Sequence, residues 1–193
     1  SAAILAGGQA RRFGGADKGR LAVGGRTILE RQLDALTGVA DTVLLVGYRG
    51  EAPVPAHVRC VPDEVPDRGP LGGLATAFSA APGATILLLA CDMPFLHAPF
   101  LSHLLELAGA ADAVVPRTER GYHPLCAAYT PACEPVVRRQ LQRGALRMLD
   151  LLPDVRLRVV GEDAIATFGN AAALLANVNT AADLDALGSL LNH

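Results

Sequence analysis

Between residues 5 and 19 the chain reads Leu5-Ala6-Gly7-Gly8-Gln9-Ala10-Arg11-Arg12-Phe13-Gly14-Gly15-Ala16-Asp17-Lys18-Gly19. Paired glycines let a backbone approach a ligand closely and turn successive N–H groups towards it. Arginine and lysine neutralise the phosphates that such a loop would hold. The chemistry on offer is triphosphate binding. Sixteen of the seventeen basic residues are arginine, and Lys18 is the single lysine. A compact ammonium suits a bridging contact to two phosphate groups better than a planar fork does. A chance surface position is the competing account of Lys18.

Familiar phosphate loops do not fit. The P-loop pattern needs lysine directly after its last glycine and then Ser or Thr, whereas Ala16 and Asp17 intervene and Gly19 follows. The dinucleotide pattern G-x-G-x-x-G fails because Gly7 and Gly8 are adjacent. Outside the loop, Asp92 ends the most apolar stretch, Ala84 to Ala90, in the run Cys91-Asp92-Met93-Pro94. A strand buried on both faces delivers its terminal carboxylate to the carboxyl edge of a parallel sheet, where ligands bind. There Asp92 could hold Mg²⁺, which takes one or two carboxylates plus phosphate oxygens; capping the helix after Pro94 is the alternative. Asp63, Glu64 and Asp67 precede Gly69-Pro70-Leu71-Gly72-Gly73, a helix start that could face an anion.

These residues need elements to hold them. Ala2 to Leu5, Thr42 to Gly47, Val58 to Val61, Ala84 to Ala90 and Ala113 to Pro116 are short apolar strand candidates. Helical segments fall between them: Thr27 caps one that ends near Gly38, a small-residue helix runs from Leu71 to about Ala80, and a third covers Ala98 to Ala108. The alternation predicts an α/β fold, a Rossmann-like, doubly wound, mostly parallel sheet flanked by helices, in a single domain over 1–193. His123 to Tyr129 is a further strand, open to an antiparallel placement. Ala132 to Gln142 and Leu146 to Leu152 read as helical, Val155 to Val160 as a half-exposed strand, and Thr180 as the cap of a last helix.

Composition narrows the setting. Half the residues are apolar with no Trp, so the core is aliphatic, and 193 residues bury ~70% of the unfolded surface. No apolar run is long enough to span a membrane, and no secretory signal is visible. Cys60, Cys91, Cys126 and Cys133 lack zinc or disulfide spacing and are expected as reduced thiols in a cytoplasmic protein, three of them buried. Residues 1–31 and 117–147 each hold six basic and two acidic side chains in a chain of net charge −2. Two basic zones suggest two anionic ligands and no nucleic-acid stripe; arginines pairing with local acids would explain the second zone equally well.

The loop L-A-G-G-x-x-x-R-hydrophobic-G-G-x-D-K resembles the signature of the molybdenum cofactor guanylyltransferase (MobA-like nucleotidyltransferase) family, matched at Leu5, Ala6, Gly7, Gly8, Arg12, Gly14, Gly15, Asp17 and Lys18. Phe13 stands where Met is usual. The resemblance continues through Gly69-Pro70-Leu71, Cys91-Asp92-x-Pro94, His123-Pro124 and Asn177-Val178-Asn179-Thr180 to the last helix. It implies a fold like that of the nucleotide-diphospho-sugar transferases and transfer of GMP from GTP to molybdopterin, with Mg²⁺ on Asp92. Arg12, Lys18 and Asp92 would be catalytic. Leu5, Ala6, Gly7, Gly8, Gly14, Gly15, Gly69 and Asp67, with Asp63 as the alternative, would bind the nucleotide. Arg120, His123, Asn177 and Asn179 would face the acceptor, with molybdoenzymes or cofactor-handling proteins as partners. His123 is not needed as a base, since an acceptor phosphate is already an anion. A cytidylyltransferase for the same pterin, a sugar-phosphate nucleotidyltransferase and a non-catalytic cofactor chaperone remain the other readings.

Overall fold

In the computed structural model, which describes residues 1–7, 22–48, 54–180 and 182–183, the predicted strands assemble into one sheet. Strand β1 (Ala2–Leu5) comes first, and a two-stranded ribbon, β2 (Ala22–Val23) and β3 (Arg26–Thr27), leads into helix α1 (Ile28–Leu36). The ribbon turns through Gly24 and Gly25 at φ +60° and +79°, values that glycine adopts without a Cβ penalty. Thr27 caps α1 as expected: its hydroxyl accepts from Glu30 N, and the Glu30 carboxylate accepts from Thr27 N. There follow β4 (Val43–Val46), β5 (Val58–Val61), α2 (Gly69–Ala80), β6 (Ile86–Ala90) and α3 (Ala98–Leu107). The second half adds β7 (Ala113–Thr118), β8 (Gly121–Tyr122), β9 (Cys126–Tyr129), α4 (Glu134–Gln142), β10 (Leu157–Val160), α5 (Glu162–Ala166) and α6 (Ala171–Leu174).

The strand order is β10-β7-β9-β6-β1-β4-β5, with β8 hairpinned onto β7. All neighbours along that path are parallel except β9, which runs antiparallel between β6 and β7. β6 is central and buried along its whole length, as its composition predicted. Alternation along the strands splits the core in two. Ala2, Ile4, Leu87 and Leu89 face α1, α3, α5 and α6; Ala3, Leu44, Ile86 and Leu88 face α2, α4 and the 3-10 turns of Met148–Asp154. Each buried leucine or isoleucine here contributes about 1.5–3 kcal/mol.

Four expectations need correction. The strand after the β7–β8 hairpin begins at Cys126, because His123 N bonds Pro116 O, Cys126 N bonds His123 O, and Pro124 has no N–H for a ladder. Helix α2 starts at Gly69, with Pro70 accommodated in its first turn. The segment after Leu146 is 3-10 and contains Pro153, and α5 and α6 are too short and too weakly patterned to read from sequence. Of the four free thiols, Cys126 and Cys133 are buried, Cys91 is half-buried, and Cys60 is exposed on edge strand β5. Burial raises both buried thiols, Cys126 beyond the range of any physiological titration and Cys133 to about 12. Neither is a nucleophile at neutral pH.

Candidate active site at the carboxyl edge of the sheet

β1 and β6 are parallel neighbours with Leu5 opposite Ala90. Gly7 and Asp92 each stand two residues after the end of their strand, past the carboxyl ends of β1 and β6. Chain order reverses between these strands, since β4 and β5 continue on one side of β1 and β6 begins the other. Open α/β sheets bind ligands at such a crevice. Leu5, Ala6 and Gly7, which open the glycine-rich stretch, and Asp92 therefore stand at the carboxyl edge of two adjacent strands. Gly8, Arg12, Gly14, Gly15 and Lys18 lie outside the described residues.

The start of that stretch is tightly constrained. Ala6 N and Gly7 N both donate to Val46 O, at 2.9 and 3.1 Å, and Gly47 N donates to Val61 O at 2.8 Å. Gly47 ends β4 at φ +71°; a Cβ there would lie 2.8 Å from Asp63 Oδ2 and 2.9 Å from Gly7 Cα. Asp63 thus brings its carboxylate against both glycines. Asp67 is exposed on the following turn at φ +60°, a left-handed conformation that Asp tolerates better than most residues. Gly69 opens α2 just after it, and a Cβ on Gly73 would lie 2.5 Å from Leu5 Cδ2, so α2 packs directly against Leu5 at the end of β1. The Asp63 loop is braced from below: Glu64 N donates to Thr76 Oγ1, and the Glu64 carboxylate accepts from Ser79 and Arg138. Gly47 was legible only as the end of a strand, and sequence alone offered no signal for its contact with Gly7.

Gly47→Ala should therefore destabilise the protein by about 2–4 kcal/mol, combining the left-handed backbone penalty with overpacking against Gly7 and Asp63. Urea unfolding measures it; an unchanged midpoint would mean that the three residues have room to separate.

Asp92 does not cap a helix. α3 begins at Ala98 with His97 as its N-cap, five residues further on. Instead, Asp92 O accepts from Val178 N at 2.7 Å, which docks the Asn177-Val178-Asn179 segment onto this turn. Val178 is fully buried while Asn177 and Asn179 are exposed on either side of it, so both amides are held at the edge by one inward valine. Thr180 does cap: Asp183 N donates to its hydroxyl, and the Asp183 carboxylate accepts from Asn179 N and Thr180 N.

His123 reaches the same edge. Leu125 O accepts from Ala90 N at 2.8 Å, bringing the turn before β9 alongside the end of β6. The His123 Nε2 lies 2.9 Å from Thr118 Oγ1. Burial, and then the nearby Arg120 charge, lower its pKa against a small opposing effect of Glu162. At pH 7 His123 is neutral, suited to hydrogen bonding and not to holding an anion by charge. Arg120 is exposed on the β7–β8 turn. The rest of the second basic zone divides: Arg138 pairs with Glu64 and Glu134 and Arg139 with Asp154, so those two cations serve local acids.

A family model described as the MobA-like NTP transferase domain matches residues 2–159, spanning β1, the Asp92 turn and the His123 hairpin. The chain belongs to that family. A probable molybdenum cofactor guanylyltransferase of Pelotomaculum thermopropionicum is 33% identical over 94% of this chain and 88% of its own length. A molybdenum cofactor guanylyltransferase of Desulfosudis oleivorans is 29% identical over 94% and 91%. Among solved structures, molybdopterin-guanine dinucleotide biosynthesis protein A of Archaeoglobus fulgidus superposes with a TM-score of 0.78 at 22% identity, covering 99% of this chain and 98% of that one. The 2-C-methyl-D-erythritol 4-phosphate cytidylyltransferase of Thermus thermophilus gives 0.70 at 20% identity, covering 100% and 98%. The predicted fold is the one found, a mostly parallel sheet shared with nucleotidyltransferases.

Proposed function

We propose that the chain, acting as a single nucleotidyltransferase domain, transfers GMP from GTP to the terminal phosphate of molybdopterin. An acceptor phosphate oxygen attacks the α-phosphorus, the bond from that phosphorus to the β-phosphate oxygen breaks, and pyrophosphate leaves with the electron pair. No base is required, because the acceptor is an anion at neutral pH. The guanylyltransferase names of relatives at about a third identity support the assignment. The observation that supports it most is the pairing of Leu5 with Ala90, which brings the strand leading into the glycine-rich stretch next to the strand leading into Asp92.

In this reading Gly7 and the residues after it cradle the triphosphate, with Arg12 and Lys18 countering its charge. Asp63, which touches Gly7 and Gly47, takes the nucleoside side in preference to Asp67. Arg120, His123, Asn177 and Asn179 line the acceptor side. The donors fit Mg²⁺: Asp92 offers a carboxylate with Oδ1 shielded from solvent, and the Asn177 and Asn179 amides on the docked segment are also hard oxygens. Such an ion supplies charge neutralisation at phosphate oxygens. Among the described residues no helix is long and apolar enough to cross a membrane. A cytoplasmic setting, with the product passed to molybdoenzymes or cofactor-handling proteins, belongs to the same proposal.

The likeness to a cytidylyltransferase makes CTP the competing nucleotide. Pyrophosphate release should be measured with molybdopterin and either GTP or CTP. GTP is expected to be favoured more than about 100-fold, as hydrogen-bonding sites discriminate. Preference for CTP would move the assignment to the cytidylyl reaction, and tight binding without turnover would leave a cofactor chaperone.

A further inference from the structure

We propose that Arg31 and Gln32, consecutive residues of α1, are positioning residues that set the Asp92 carboxylate against the nucleotide; the inference rests on the reaction assigned above. Gln32 is only 1% exposed, on a helix face otherwise filled by Ile28 and Leu36. Its Nε2 donates to Ala90 O at 2.7 Å and to Met93 O at 3.2 Å, the carbonyls on either side of Cys91-Asp92. Arg31 Nε donates to Pro94 O at 3.0 Å, and its guanidinium lies 6.0 Å from the Phe95 ring centroid. Asp92 O is taken from the opposite side by Val178 N at 2.7 Å. The main-chain carbonyls of residues 90, 92, 93 and 94 are thus each held by a named donor.

That arrangement is more than solvation of a buried turn. Gln32 Oε1 is buried and has no hydrogen-bond partner among the described residues. A leucine here would remove that orphaned acceptor only by taking a donor from both Ala90 O and Met93 O, so the carboxamide is kept for its grip on these two carbonyls. What it secures is the placement of a single carboxylate, and sites of this kind lose function when their supporting contacts let a group drift by fractions of an ångström. Arg31 adds a second link. Its Nη1 donates to Val23 O at 3.2 Å, on the ribbon where the chain returns from the glycine-rich stretch. One helix therefore bonds both the turn that carries Asp92 and the ribbon strand at Val23.

The test uses Gln32→Met and Arg31→Met, which keep side-chain length and remove the donors. Mn²⁺ uptake in the presence of GTP is followed by electron paramagnetic resonance, with Asp92→Asn as the reference that loses it. Gln32→Met is expected to weaken Mn²⁺ binding by about 10- to 100-fold and to lower kcat by a similar factor, with metal-free GTP affinity and the KM for GTP unchanged. Hydrogen exchange at the Val178 amide should quicken as the Asp92 turn loosens. Arg31→Met, half-exposed and able to keep its stem on Phe95, should show the same pattern at about 10-fold; it decides the matter alone should Gln32→Met fail to fold. Folded variants with wild-type Mn²⁺ affinity would overturn the proposal. A wild-type chain that takes up neither GTP nor Mn²⁺·GTP would remove the reaction itself and the positioning role with it.

Discussion

Asp92→Asn should lower GMP transfer by about 1,000-fold, the upper end for loss of one preorganised charge-stabilising group, while leaving the protein folded. Asparagine is isosteric with aspartate, and three contacts hold this turn through its main-chain carbonyls: Val178 N to Asp92 O, and Gln32 Nε2 to Ala90 O and Met93 O. None of them uses the carboxylate. Those three contacts do not depend on the charge, so the asparagine variant is expected to keep the turn and the fold. The two effects therefore separate. Thermal unfolding should match wild type, GTP should still bind, and pyrophosphate release should collapse at every Mg²⁺ concentration. A variant that unfolds readily yet retains most of its specific activity would show that the carboxylate serves the turn and not the reaction.

The sequence was informative wherever one physical demand dominated. An all-apolar β6 can only be central, and a carboxylate after it can only emerge at the carboxyl edge, so the placement of Asp92 followed from hydrophobicity alone. Capping of α1 by Thr27 was equally plain, because the Thr27–Glu30 spacing satisfies two orphan donors at once. What could not be read was decided by contacts between distant residues. The β9 strand is antiparallel because the β7–β8 hairpin reverses the chain, and no local pattern marks which strand it then pairs with. The docking of Val178 on Asp92 spans more than eighty residues.

The same limit applied within the site. Asp63 and Asp67 are both short acids before a glycine-rich helix start, and composition does not rank them. Backbone geometry does: Gly47, at positive φ, folds the end of β4 so that Gly7 and Asp63 meet, while the turn carries Asp67 outwards. Gln32 was invisible for a different reason. A glutamine on an otherwise apolar helix face reads as a surface residue near the boundary, and only the carbonyls of Ala90 and Met93 show what it does there. The second basic zone, read as a possible anion site, is in part an ion-pair network between α4 and the Asp63 loop.

Lys18→Ala should cost about 100-fold in kcat, the loss expected when one preorganised charge stabiliser is removed from a departing anion. Lys18 lies outside the described residues, so the case is made by what surrounds its segment. The chain leaves β1 at Gly7 and returns at Ala22, with both ends on described structure. Two later cations of the first basic zone have local partners: Arg26 pairs with Asp34, and Arg31 is bonded to Val23 O and Pro94 O. Countercharge for a triphosphate beside Gly7 is then expected from the stretch between, where Arg11, Arg12, Lys18 and Arg20 stand. Among these the ammonium is the point charge able to sit between two phosphate groups, and charge builds on the β-phosphate as pyrophosphate departs. The interaction strengthens towards the transition state, so kcat should fall further than GTP affinity does. Lys18→Arg keeps the charge and should recover only part of the rate, since a planar fork cannot occupy the same point. Single-turnover pyrophosphate release with saturating GTP measures both variants; a rate near wild type for Lys18→Ala would assign the leaving-group charge to Arg12 and its neighbours instead.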